Sequence, residues 1–230
     1  MRVLVTGAAS SGKSAWAEAR AMGLASPRTY VATMAPAGRE AAARIARHRE
    51  LRRGKGFRTV ELFGAAGEGA AGPAAAAGSA VAAGEGAAGS RAGAGPDVGA
   101  LLDAAGARGG CALVEDLGNL LANRLFSPDG AQAAPERALA RAEGDLEAVF
   151  SRFDDVVVVG CEVGCEGAAG LVAGGAPGRG LPRGPASPTE AYVRLLGALA
   201  CWVARGSDEV VEVVASRPRY LRGGDGLVAR

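Results

Sequence analysis

The chain has 230 residues, 49% hydrophobic and only 4% aromatic, with 26 Lys and Arg against 24 Asp and Glu for a formal charge of +2. That length suffices for one α/β domain with a sizeable core, and so balanced a charge gives no electrostatic case for a nucleic-acid partner. No run of about 18 apolar residues occurs and Met1 leads straight into an apolar segment, so the expectation is a cytoplasmic protein without a membrane span.

In chain order, Arg2-Val3-Leu4-Val5-Thr6 reads as a short buried strand, and Ala15 to Ala21 as a helix. Arg28-Thr29-Tyr30-Val31-Ala32-Thr33 follows Ser26-Pro27 and gathers β-branched and aromatic residues, the composition of a second strand. From Gly38 to about Arg53 a charged helix is predicted, with Ala41, Ile45 and His48 on one face, ended by Gly54 and Gly56. Phe57 to Leu62 is extended. Residues 64–96 are almost entirely Ala and Gly with few bulky apolar groups, and read as a low-complexity surface insertion. A helix resumes over about Asp97 to Ala107.

Cys111 to Asp116 is an apolar run ending in two acids, as a buried parallel strand with an acidic tip would be. Leu117 to Phe126 continues from it. Pro135 to Phe150 is an amphipathic helix with Pro in its first turn, and Asp154 to Gly160 is a buried strand. A second insertion is expected at 167–186. Ser187-Pro188-Thr189-Glu190 then combines an N-cap, Pro at N1 and Glu at N3, opening a helix that runs to about Arg205. Glu209 to Val214 closes the pattern as the last strand expected. The alternation predicts one α/β domain over 1–230, a mostly parallel sheet with helices on both faces. The four cysteines, Cys111, Cys161, Cys165 and Cys201, fit no disulfide framework, and with one histidine in the chain they read as structural thiols rather than zinc ligands.

Gly7-Ala8-Ala9-Ser10-Ser11-Gly12-Lys13-Ser14 matches G-x-x-x-x-G-K-[ST] between a strand and a helix, the phosphate-binding P-loop. Gly7 and Gly12 allow backbone angles that turn successive N–H groups inward around an anion, and the helix N-terminus adds partial positive charge. Lys13 supplies a point charge for the β- and γ-phosphates and Ser14 a hydroxyl for Mg²⁺. In a parallel sheet the ligand sits at the C-terminal strand ends, which places Glu115, Asp116 and Glu162 beside the P-loop. Glu115 or Asp116 is then a Mg²⁺ ligand opposite Ser14. His48 is the only imidazole. The residues leave two readings of it open. It packs on the Ala41/Ile45 face of a basic surface helix, or it attacks a phosphorus atom while Arg44, Arg47, Arg49 and Arg52 offset the charge of a triphosphate.

The chain resembles the bifunctional adenosylcobinamide kinase/adenosylcobinamide-phosphate guanylyltransferase family of cobalamin biosynthesis. The resemblance rests on Val3 to Ser14 with Ala17-Glu18, on Tyr30-Val31-Ala32-Thr33, on Arg44-Ile45-x-x-His48-Arg49 and on Arg58-Thr59-Val60-Glu61. It continues in Leu113 to Leu125, Glu162-Val163-Gly164, Asp208-Glu209-Val210 and Arg217 to Arg222. Together these span most of the chain outside 64–110 and 167–186. The resemblance implies a P-loop fold, a guanylylated histidine at His48, a nucleotide-binding P-loop at Gly7–Ser14, and nucleotide-binding carboxylates at Glu61 and Glu115. It implies two reactions, phosphorylation of adenosylcobinamide by ATP or GTP and transfer of GMP to adenosylcobinamide phosphate, in a trimeric protein. The chain departs from the family pattern at Asp116, where Cys is usual, at Cys161, where Asn is usual, and at Gly197 to Cys201, which lacks an Asn-Gln pair. A P-loop kinase of another small alcohol, with His48 structural, and a nucleotide-binding regulator without catalysis are the competing readings.

Overall fold

The apolar runs become strands and the periodic segments helices in the computed structural model, which describes residues 1–36, 38–63, 96–126, 133–162 and 187–224. In order these are β1 (Arg2–Thr6), α1 (Lys13–Met22), β2 (Arg28–Ala32), α2 (Gly38–Arg52), β3 (Phe57–Glu61), α3 (Val98–Ala104) and β4 (Cys111–Glu115). They continue with α4 (Leu117–Leu125), α5 (Pro135–Phe150), β5 (Asp155–Val159), α6 (Pro188–Arg205), β6 (Glu209–Val214) and β7 (Arg217–Arg222). The seven strands form one sheet in the order β3-β2-β4-β5-β1-β6-β7, parallel except for β7.

Side chains alternate across the sheet and so divide the core in two. Leu4, Val31, Val114, Val156 and Val158 face α3, α4, α5 and α6, burying Leu102, Leu117, Leu121, Leu146 and Leu199. Val3, Val5, Tyr30, Leu113, Val157 and Val211 face α1, whose Ala17 and Ala21 carry no bulk and let the helix lie close. Helices cover both faces, unequally. α2 contributes a single buried residue, Arg52, and its remaining side chains are exposed or half-buried.

Two ties fix the larger layer. Arg124 of α4 donates from Nε to Asp145 Oδ2 at 2.6 Å and from Nη2 to Asp145 Oδ1 at 2.8 Å, joining α4 to α5. Its Nη2 also donates to Pro96 O at 2.7 Å, and the guanidinium lies 5.3 Å from the centre of the Phe63 ring. Ser187 Oγ accepts from Glu190 N at 3.2 Å with Pro188 at N1, the cap that the sequence predicts for α6.

Two expectations are corrected. The helix expected over Asp97 to Ala107 is α3, ending at Ala104: Asp97 is its N-cap, accepting from Ala100 N at 3.0 Å, and Gly106 takes φ +60°. β6 is not the last strand. Arg217–Arg222 returns antiparallel to it through Ala215 and Ser216, both at positive φ. Pro218 and three arginines hide this strand from an apolar pattern, yet suit an exposed edge, where missing donors and charges are tolerated. The insertions expected at 64–96 and 167–186 lie outside the described residues, except Pro96.

Candidate functional site

Because β1 to β6 run parallel, their C-terminal ends share one edge, and the segments that leave them form the site. The P-loop leaves β1. Gly7 has φ +150° and Gly12, the residue preceding α1, has φ +91°. A Cβ on Gly7 would stand 2.5 Å from Val213 O, and one on Gly12 2.6 Å from Ser216 Oγ, so neither position has room for a side chain. The loop is pinned by Ser11 N donating to Ala8 O at 3.2 Å and by Ser216 N donating to Ser11 O at 2.7 Å. Glu162 N, beyond β5, donates to Gly7 O at 3.3 Å. Ala8, Ala9 and Ser10 are exposed, Ser14 is half-buried, and Lys13 Nζ donates to Ala8 O at 3.1 Å, folded back over its own loop. Ser11 Oγ is buried with no hydrogen-bond partner among the described residues.

A cleft beyond β2, β3 and β4 is lined by Tyr30, Met34, Arg44, Ile45, His48, Arg52, Glu61, Glu115, Asp116 and Asn119. His48 looks into it from α2, its Nδ1 3.9 Å from Glu115 Oε1. Glu115 Oε2 accepts from the Tyr30 hydroxyl at 2.7 Å. Burial, reinforced by the charge of Glu115, pushes the Tyr30 phenol well above its ordinary range, so its O–H remains a donor. Arg52 lies over the Tyr30 ring, 3.4 Å from its centre, and its Nε and Nη1 are buried without a hydrogen-bond partner among the described residues. Glu61 is ion-paired with Arg49, which fastens α2 to the end of β3. Along α2, Ala41, Ile45 and His48 are half-buried between exposed neighbours, the face that the periodicity predicts, and Arg52 is buried.

Over residues 3–70 the chain matches the cobinamide kinase/cobinamide phosphate guanyltransferase family. That family is a bifunctional kinase and guanylyltransferase. No curated protein matches the chain. The matched stretch carries the P-loop, His48 and Glu61 and stops before Glu115 and Asp116.

The acidic tip of β4 divides its two side chains between tasks. Glu115 faces Tyr30 and His48. Asp116 is the N-cap of α4, its Oδ1 accepting from Asn119 N at 2.7 Å. Burial pushes the Asp116 carboxyl up, the Asn119 hydrogen bond opposes this, the charge of Glu115 adds to it, and Arg44 and Lys13 pull it down. Asp116 is thus the acid that feels both the P-loop lysine and the cleft arginine. Thr33 fixes this tip: its N donates to Glu115 O at 3.1 Å and its Oγ1 to Asp116 O at 2.9 Å, while Asn123 Nδ2 donates to Thr33 O at 2.8 Å.

Arg52 is a member of the cleft that was expected among the arginines offsetting a triphosphate's charge, whereas Tyr30 is one that the sequence does not single out as a site residue. Arg52 sits four residues after His48, one turn along the same helical face, and that spacing was the available signal. Tyr30 had none, since an aromatic in a strand reads as core. Among the described residues no group of three or more His, Cys, Asp or Glu could hold a metal, and no helix is long and apolar enough to cross a membrane.

Proposed function

We propose that the chain phosphorylates adenosylcobinamide with ATP or GTP and then transfers GMP from GTP to the phosphate it has made, through a guanylyl adduct on His48. The observation that carries this reading is the pairing, on one sheet edge, of a P-loop with a cleft that sets one imidazole among the cations Arg44 and Arg52. Arg52 is buried with two nitrogens unpaired, a costly state that an anionic ligand would relieve. The unpartnered Ser11 hydroxyl stands in the phosphate loop in the same condition.

In the first reaction the hydroxyl oxygen of the aminopropanol arm bonds to the γ-phosphorus, the bond to the bridging oxygen breaks, and the nucleoside diphosphate leaves. Gly7, Ala8, Ala9, Ser10, Ser11 and Gly12 hold phosphate oxygens through backbone N–H groups, and Lys13 swings from Ala8 O onto the β- and γ-phosphates. Ser14, half-buried in the first turn of α1, and Asp116 would offer hard oxygen donors that suit Mg²⁺. When bound, Mg²⁺ neutralises charge on the phosphate oxygens. In the second reaction His48 displaces pyrophosphate from the α-phosphorus of GTP, and a phosphate oxygen of the phosphorylated cobinamide then displaces His48. The carboxylates of Glu61 and Glu115 face the nucleotide from the opposite wall. A homo-oligomer, trimeric as the family resemblance implies, working in the cytoplasm, completes the reading.

The test uses GTP labelled at the α-phosphorus, with Mg²⁺. An acid-labile, base-stable adduct is expected in the parent and absent in His48→Ala; no adduct in the parent, or an undiminished one in the variant, rejects guanylyl transfer. Lys13→Ala should lose cobinamide phosphorylation by at least about 10²-fold. A parent that forms the adduct but phosphorylates only other alcohols would leave the acceptor assignment wrong.

A further inference from the structure

We infer that Glu115 is a positioning residue for His48, holding the imidazole proton on Nδ1 and leaving Nε2 as the atom that takes the guanylyl group. The inference rests on the guanylyl-transfer reading above and adds to it the reacting nitrogen and the group that selects it.

The geometry is a short relay. Arg52 covers the Tyr30 ring, the Tyr30 hydroxyl donates to Glu115 Oε2, and Glu115 Oε1 is left facing His48 Nδ1 at 3.9 Å. That separation exceeds a hydrogen bond but lies within ion-pair reach, and catalytic contacts of this kind commonly close only when substrate binds. The Glu115 side chain is 8% exposed and that of His48 26%, so little water competes for the carboxylate. An ionised carboxylate can only accept. The ring nitrogen that faces it must carry the proton, and in a neutral ring the lone pair then belongs to Nε2. Arg44 and Arg52 line the same cleft but only donate, so they cannot draw that proton away. Of the other two acids of the cleft, Glu61 is occupied by Arg49 and Asp116 caps α4 through Asn119 N.

The step balances without moving a proton. The Nε2 lone pair forms the N–P bond, the bond from the α-phosphorus to the bridging oxygen breaks, and pyrophosphate leaves with that electron pair. The ring keeps its Nδ1 proton and becomes cationic, and Glu115 offsets the new charge. When the acceptor phosphate attacks, the N–P electrons return to Nε2.

His48 is the only histidine in the chain, so ¹⁵N-histidine labelling of the full protein gives the spectrum of one imidazole. The expected spectrum, recorded where the ring is neutral, shows a protonated Nδ1 and an unprotonated Nε2. After reaction with GTP, ¹⁵N–³¹P coupling should appear at Nε2. In Glu115→Gln the Tyr30 donor retains the amide oxygen and turns the NH₂ toward Nδ1. The tautomer should invert and adduct formation slow by about 10²-fold or more. A loss of packing alone would not invert the tautomer. A parent with its proton on Nε2, coupling at Nδ1, or an unchanged tautomer in Glu115→Gln would each overturn the inference. Should Glu115→Gln fail to fold, the two parent measurements decide. If GTP forms no adduct at all, the proposed function falls, while the tautomer spectrum still accepts or rejects the role of Glu115.

Discussion

Replacing Arg124 by methionine keeps most of the side-chain volume and removes the charge that Asp145 faces. Both groups are out of water, their side chains 4% and 11% exposed, and the pair is bidentate. Burial already pushes the Asp145 carboxyl up, and the hydrogen bond and charge of Arg124 oppose that push. Removing one partner from such a pair costs about 3–5 kcal/mol. Asp145 can escape part of this by taking a proton, at about 1.4 kcal/mol for each pH unit above its unfolded value near 3.9, which caps the charge penalty at about 4 kcal/mol at pH 7. At pH 5 the same escape costs about 1.5 kcal/mol. The sign follows from proton binding: folded Arg124→Met holds a proton on Asp145 that the unfolded chain releases, so stability falls as pH rises above about 3.9. Urea unfolding followed by circular dichroism at pH 5, 6 and 7 measures this. A deficit that stays flat across that range, or one below about 1 kcal/mol at pH 7, would refute the reasoning. Adding Asp145→Leu should recover most of the loss, because no buried charge is then left unpaired.

Gly12→Ala puts a Cβ at φ +91°, 2.6 Å from Ser216 Oγ, and should weaken binding of a fluorescent GTP analogue at least about tenfold, the αL cost alone being about 1–2 kcal/mol; parental affinity would show that the loop tolerates a side chain. Ser187→Ala removes the acceptor for Glu190 N and should cost about 0.5–2 kcal/mol in thermal unfolding. No change in melting temperature would mean that Pro188 alone starts α6. Stripping divalent ions with EDTA should abolish cobinamide phosphorylation and readdition of Mg²⁺ should restore it; activity that persists in EDTA removes the role given to Ser14 and Asp116.

Six of the strands were legible because each is a short run of apolar, β-branched or aromatic residues set off from its neighbours, as in Asp155-Val156-Val157-Val158-Val159. The P-loop was legible for the same local reason, since its chemistry is written in eight consecutive residues. The order of strands is not local. Nothing in Val3-Leu4-Val5 says that it lies between β5 and β6, or that β2 and β4 are neighbours. That adjacency brings Tyr30 to Glu115, 85 positions apart, and makes the cleft behind His48. The two acids at the tip of β4 could be marked as candidates, yet only the backbone turn after it decides that one caps a helix and the other faces the imidazole.

The central place of β1 bears on how the protein is made. This strand is synthesised well before its two neighbours, Asp155–Val159 and Glu209–Val214, and before Ser216, which supplies the contact that buttresses Ser11. At about 5–20 residues per second the nascent chain waits roughly 8–30 s for the first of those partners. Throughout that interval the apolar run Val3-Leu4-Val5 lacks both of its sheet neighbours. The phosphate loop is therefore buttressed only after Ser216 has been made, about two hundred residues after the loop itself.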